Sequence, residues 1–221
     1  MLLLALDTST PAVTAGIASL DATSGAVDVL AEQVTVDARA HGELLTPQLT
    51  EAARMAGIKL RELDAVVCGA GPGPFTGLRV GMVTAAALGH GLGLPAYPVC
   101  GLDAIAAEAT GEPLLVVTDA RRREVYWARY DAKGVRVAGP AVSAPLDVPV
   151  ADAVRVAGHG AQVYPDAFDL PVVAPSYPTP CGLVRVAAAA IAAGAEPEPL
   201  TPQYLRRPDA QEPGERKRVR Q

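Results

Sequence analysis

Asp7 ends the apolar run Leu2-Leu-Leu-Ala-Leu6, and Asp119 ends the similar run Leu114-Leu-Val-Val-Thr118. Carboxylates at two matching strand ends are one way to build a phosphoryl-transfer site. Such a site also needs backbone close to phosphate, which glycine after each strand would allow. Here Thr8-Ser9 follows Asp7 and Ala120-Arg121 follows Asp119, so the close-approach glycines are missing. Arg121 to Arg123 could hold phosphate or form a solvated turn. The densest signal is Gly71-Pro-Gly-Pro-Phe-Thr-Gly-Leu-Arg79, with Gly71, Gly73, Phe75, Thr76, Gly77 and Arg79 as its candidate residues. Thr76 is placed to cap a helix whose outward N–H groups can hold an anion. A dinucleotide fingerprint fails because Thr76 stands where its third glycine belongs, and a Walker A loop fails for want of lysine. A stiff loop that ends a strand and launches a helix satisfies the same residues.

Metal and nucleophile chemistry find little material. His41, His90 and His159 share no HxxxH or HxxH spacing, so no metal site is expected, and no cofactor. No Gly-x-Ser-x-Gly elbow exists. Cys68, Cys100 and Cys181 are odd in number and lack a CxxC pair. Buried thiols in a reducing cytosol are the expectation, which makes the protein cytoplasmic.

The elements that would position these residues follow from period and punctuation. Strands are expected at Leu2–Leu6, Val13–Leu20 and Val27–Val36, then a helix over Glu43–Ala56 stopped by Gly57, with Pro47 near its first turn. A buried strand over 64–69 leads through the glycine loop into a second helix reaching Leu92. A strand at Pro95–Val99 and a helix at Leu102–Ala109 complete a β-β-β-α-β-α-β-α half. The opening then recurs: strands at 114–119 and Glu124–Tyr130 precede an Asp131-Ala-Lys-Gly134 turn that mirrors Asp21 to Gly25. Beyond Ala138 the signal thins to Pro-rich loops around a strand at Val154–Ala157. Thr179 then caps a last helix, with Pro180 in its first turn and Gly194 as its stop.

Gly77, Gly81, Ala85 and Gly89 form a small-residue ridge on the second helix, opposite Leu78, Met82 and Val83. A helix apolar nearly all round is buried on both sides. One side can face its own sheet; the other can face the first helix or another protein. A partner surface is expected from Leu45, Leu49 and Ala52 with Leu78, Met82 and Ala85, two stripes of helical spacing; internal core is the alternative.

With 221 residues, half of them hydrophobic, the chain can build a substantial core, and its net charge of −5 argues against broad nucleic-acid binding. The opening apolar run lacks a basic flank and meets Asp7 too soon for a signal peptide, and no apolar run is long enough to span a membrane. Residues 206–221 are rich in arginine against an acidic remainder and are expected to be a disordered basic tail.

Five segments in order resemble the TsaB/YeaZ family. They are Leu4-Ala-Leu-Asp-Thr-Ser9, the 71–79 loop, Asp119-Ala-Arg with Glu124-Val-Tyr126, Gly158-His-Gly160 before Tyr164-Pro-Asp166, and Pro202-Gln-Tyr-Leu-Arg206. His41 resembles the family's single histidine before the first helix, and Pro74 departs from its usual serine. The resemblance implies an α/β protein of the actin/hexokinase/Hsp70-like two-lobe fold, with a duplicated β-β-β-α-β-α core and a degenerate second lobe. The lobes would be 1–110 and 111–205. It implies a non-catalytic subunit that pairs with TsaD and the ATPase TsaE. The complex would move threonylcarbamoyl to N6 of adenosine 37 in tRNAs reading codons that begin with A. This subunit would meet tRNA through the complex, form a homodimer when TsaD is absent, and have no membrane partner. The first-lobe helices would carry the TsaD contact. A small actin-like kinase or ATPase is the main rival, which nucleotide binding by the isolated chain would reveal. A peptidase lacks both metal pair and nucleophile.

Overall fold

The computed structural model describes residues 1–206. Strands β1 (Leu2–Asp7), β2 (Ala12–Leu20) and β3 (Val27–Val36) form an antiparallel meander, and β4 (Ala65–Gly69) and β5 (Ala96–Val99) add parallel to β1. The second sheet repeats the plan. Strands β6 (Leu114–Arg121), β7 (Glu124–Tyr130) and β8 (Arg136–Ser143) form the meander, and β9 (Arg155–Ala157) and β10 (Val172–Val173) extend it in parallel. The orders β3-β2-β1-β4-β5 and β8-β7-β6-β9-β10 match position for position, so the weak repeat at 2–7 and 114–119 is a duplicated sheet.

Each central strand is buried on both faces, which explains its continuous apolar sequence. Along β1, Leu4 and Leu6 enter one cluster while Leu3 and Ala5 enter another, the period-two alternation of a strand. Helices α1 (His41–Met55) and α2 (Phe75–Leu92) cover the Leu4 face. The opposite face is covered by α5 (Pro180–Ala192), through Leu183, Val184, Ala187 and Ile191. Helix α3 (Gly101–Ala106), which follows the first sheet in sequence, packs instead with β6 and β7. The two halves therefore exchange a covering helix. Fully burying one such leucine is worth about 2 kcal/mol, and Leu3, Leu4, Leu6, Leu45, Leu78 and Leu183 are all buried to that degree.

Several details differ from expectation. Pro74, not Thr76, is the cap residue of α2; it supplies extended backbone but no side-chain bond, and Thr76 lies exposed in the first turn. Helix α1 starts at His41, so Pro47 sits beyond the first turn, where its ring removes one ladder donor. Strand β8 falls where the sequence signal thinned. It is an edge strand broken by Gly139-Pro140, and an edge is where a sheet tolerates proline. The short helix α4 (Gly160–Val163) and β10 are too brief to leave a periodic pattern. Thr179 caps α5 as expected, its hydroxyl accepting from Gly182 N at 3.0 Å. The first residue of the expected tail, Arg206, is anchored: its Nη1 donates to Ala120 O at 3.1 Å and its Nε lies 3.3 Å from Glu124. The rest of that segment lies outside the described residues.

Candidate functional site at the junction of the two sheets

The 71–79 loop leaves β4 and launches α2 against the turn after β1. Small residues there admit the protein's own backbone. A Cβ at Gly73 would collide with Ser9 O, and one at Gly77 would lie 2.9 Å from Thr8 O. At Gly81 it would lie 2.6 Å from Thr8 Oγ1. Thr8 uses that room: its hydroxyl donates to Gly77 O at 2.7 Å and accepts from Gly81 N at 2.9 Å. It thus stands between the two ends of an i→i+4 helical bond. The small-residue ridge is filled by β1 and its turn, and Gly89 approaches Leu94 O in the same way.

The six residues expected to form a partner surface lie elsewhere than predicted. Leu45, Leu49, Ala52, Leu78, Met82 and Ala85 share one core cluster and are at most 5% exposed. The structure assigns them to the packing of α1 and α2 on the first sheet. Both sides of α2 are apolar in sequence, so periodicity alone does not separate inside from outside. The outward side of α2 carries Val83, 65% exposed, with Ala86, Ala87 and His90. On α1, Thr46, Pro47 and Thr50 point outward.

Asp7 is sealed. Ser9 N and Ser9 Oγ donate to Oδ1, both at 3.0 Å, and Oγ also approaches Oδ2 at 2.8 Å. A Cβ at Gly69 would collide with the carboxyl, so glycine is required beside it. Burial pushes the Asp7 carboxyl up to about 7, against the lowering effect of its Ser9 bonds. Asp119 is less enclosed. Its Oδ1 accepts from Arg121 N at 3.0 Å and from Tyr164 OH at 3.2 Å. Its own N–H donates to His159 Nε2 at 3.2 Å, which places the imidazole proton on Nδ1. Burial pulls the His159 imidazole down to about 4, Asp119 opposing. The Gly158-His-Gly160 and Tyr164 motifs thus converge on Asp119, and the His159 ring stacks on Tyr177.

A cavity of about 450 Å³ opens between the sheets, lined in part by Thr10, Arg39, His41, Phe75, Asp119 and Arg121. Asp119 reaches it; Asp7 does not. His41 is held at its floor, with Nε2 2.8 Å from Thr10 O. Arg79 and Phe75 join Tyr204 at one side. The Arg79 guanidinium sits 3.8 Å from the Phe75 centroid and its Nε donates to Tyr204 OH at 2.8 Å. The Phe75 and Tyr204 rings stack at 5.3 Å. Gln203 N donates to Ala70 O at 2.8 Å. The Pro202–Arg206 motif is therefore a strap from the glycine loop to the second sheet, a role the sequence does not reveal because its contacts span 125 residues. Among the described residues, no three His, Cys, Asp or Glu side chains could hold a metal ion, and no helix is long and apolar enough to cross a membrane. Cys68 and Cys100 are buried free thiols and Cys181 is half-buried.

Residues 28–174 match the family model described as TsaD, tRNA N6-adenosine threonylcarbamoyltransferase. An uncharacterized protein of Mycobacterium tuberculosis is 56% identical over 207 residues, covering 94% of this chain and 92% of that one. The tRNA threonylcarbamoyladenosine biosynthesis protein TsaB of Haemophilus influenzae is 35% identical over 138 residues, 61% of this chain and 56% of its own. The solved structure of YeaZ from Pseudomonas aeruginosa superposes with a TM-score of 0.76 at 31% identity, covering 92% of this chain and 99% of that one. With the duplicated sheet and the five ordered motifs, these similarities place the chain in the TsaB/YeaZ family.

Proposed function

We propose that this chain is a non-catalytic scaffold subunit that docks TsaD, and with it TsaE, for N6-threonylcarbamoylation of adenosine 37 in tRNA. The observation that carries the reading is the close packing around Asp7. Where an actin-like ATPase needs backbone room beside the first aspartate, Thr8 and Ser9 pack on Gly73, Gly77 and Gly81, and Asp7 is enclosed. An ionised carboxylate there would bear the desolvation that raises its proton affinity, the reverse of what a cation-binding aspartate needs. The docking face is the outward side of α1 and α2. Val83, Ala86 and Ala87 offer small apolar contacts that let a partner helix approach to about 8–10 Å between axes.

Two measurements test this. Calorimetry of the isolated chain with ATP and Mg²⁺ should show no binding, and tRNA should gain no threonylcarbamoyl group unless TsaD is added. Val83→Glu should leave circular dichroism unchanged, because the carboxylate stays in water, while size exclusion shows TsaD pairing weakened at least tenfold. Modified tRNA without TsaD, or a Val83→Glu protein that pairs normally, refutes the corresponding half of the proposal.

A further inference from the structure

The turn between β1 and β2 is tied to both helices of the proposed docking face. Thr8, Ser9 and Thr10 are each at most 3% exposed. The turn is braced at both ends: the Asp7 carboxyl accepts from Ser9 N, and the Thr10 hydroxyl accepts from Ala12 N at 3.2 Å. From this fixed base the Thr8 hydroxyl reaches α2, bonding Gly77 O and Gly81 N one helical turn apart. On the other side, Thr10 O meets Nε2 of His41, the first residue of α1 and itself only 7% exposed. A carbonyl can only accept, so Nε2 carries a proton. The His41 ring also lies against α2, since a Cβ at Gly77 would stand 3.5 Å from its Cε1.

Apolar burial holds a helix on a sheet but has no direction. Where α2 meets the turn, Gly77 and Gly81 carry no side chain to interlock with a groove. Directional bonds to backbone atoms at 77 and 81 therefore fix α2 both in rotation and along its axis. Those bonds are not needed to form the helix. Without Thr8, Gly81 N and Gly77 O are each other's ordinary partners in the helical ladder. What the hydroxyl adds is placement. The Thr10–His41 bond does the same for the start of α1.

We infer that Thr8 and His41 are positioning residues, and that the Thr8–Thr10 turn is a clamp that sets α1 and α2 relative to one another in the arrangement a docking partner meets. What docks there rests on the proposed function. The clamp itself is a property of this chain alone.

The test separates the two. Thr8→Ala and Thr8→Ser differ by one oxygen, and His41→Leu removes the N–H donor that His41→Gln restores. Nitroxides on Thr50→Cys and Ala87→Cys, both exposed, report the distance between the outer sides of α1 and α2 by electron–electron dipolar spectroscopy. The full chain is used in a Cys181→Ser background, because Cys68 and Cys100 are buried and Cys181 is not. The parent, Ser and Gln proteins should give one narrow distribution. The Ala and Leu proteins should give a broader or displaced one, at a temperature where circular dichroism shows each to be native. Unlabelled proteins are then titrated with TsaD by calorimetry. Pairing should weaken about tenfold for Ala and Leu, as when the competent arrangement is populated about one-tenth of the time, and stay within about threefold of the parent for Ser and Gln. Should His41→Leu fail to fold, the Thr8 pair decides. The inference is overturned if the Ala distribution matches the Ser one. It is equally overturned if the distributions differ but both proteins pair with TsaD alike. A parent that never pairs with TsaD, with the Ala distribution still broadened, instead refutes the proposed function and leaves the clamp standing.

Discussion

Asp7 and His159 are both buried ionisable groups, and they bend stability with pH in opposite directions. Asp7 holds its proton more tightly folded than unfolded, with 3.8 as its ordinary value and about 7 in place. Its contribution is fully present below about 4 and is lost as pH rises toward 7. His159 holds its proton less tightly folded, with 6.5 ordinarily and about 4 in place. Its contribution is present above 6.5 and is lost as pH falls toward 4. The two windows overlap and partly cancel. Asp7→Asn should separate them. At pH 8 the amide spares the protein a buried charge, and because each tenfold change in proton affinity is worth about 1.4 kcal/mol, the gain should reach a few kcal/mol in urea unfolding. Below pH 4 the gain should vanish. In that background, stability should fall as pH drops from 6.5 toward 4, and adding His159→Gln should flatten the fall. The sequence showed Asp7 and Asp119 as a matched pair, which the duplicated sheet bears out. It did not show that one is enclosed and the other open, because enclosure depends on Gly69 and Ser9 packing across the strand end.

At the scale of the element, α2 shows what periodicity can and cannot decide. Its small-residue ridge was legible, and so was its burial. Which apolar stripe faces inward was not, since Leu78, Met82 and Val83 are all large and nonpolar. Ala85 is fully buried and Val83 is not, so one substitution at two sites separates core from surface. Ala85→Glu should unfold the protein, because it buries an unpaired carboxylate beside Leu45 and Leu49, at a cost of several kcal/mol. Val83→Glu should not. Thermal unfolding followed by circular dichroism reads both, and equal melting temperatures would return Ala85 to the surface. Strand β8 marks the other limit: Gly139-Pro140 reads locally as a turn, and only its edge position makes it a strand.

For the whole molecule, the strap at 202–206 and the exchanged helices set how the halves hold together. Leu200 packs against the first-sheet core and Leu205 against the second. Tyr204, Gln203 and Arg206 add polar ties across the junction. A chain stopped after Pro199 should melt roughly 5–10 °C below one stopped after Arg206, given about 2–4 °C per kcal/mol at this size. Equal melting temperatures would show that the strap holds nothing. Arg206, the first residue of the expected basic tail, belongs to this strap through Ala120 and Glu124.

The helix exchange also bears on synthesis. Every strand of the first sheet has been synthesised once Val99 is added, yet Leu3, Ala5 and Val67 on its second face wait for α5, whose last residue is Ala192. At about 5–20 residues per second, the nascent chain carries a bare apolar sheet for several seconds. During that interval the face is open to a chaperone, or to the α5 helix of a neighbouring chain on the same polysome. A domain-swapped dimer formed that way would reproduce every contact of the monomer, so it would be recognised by its mass and not by its fold.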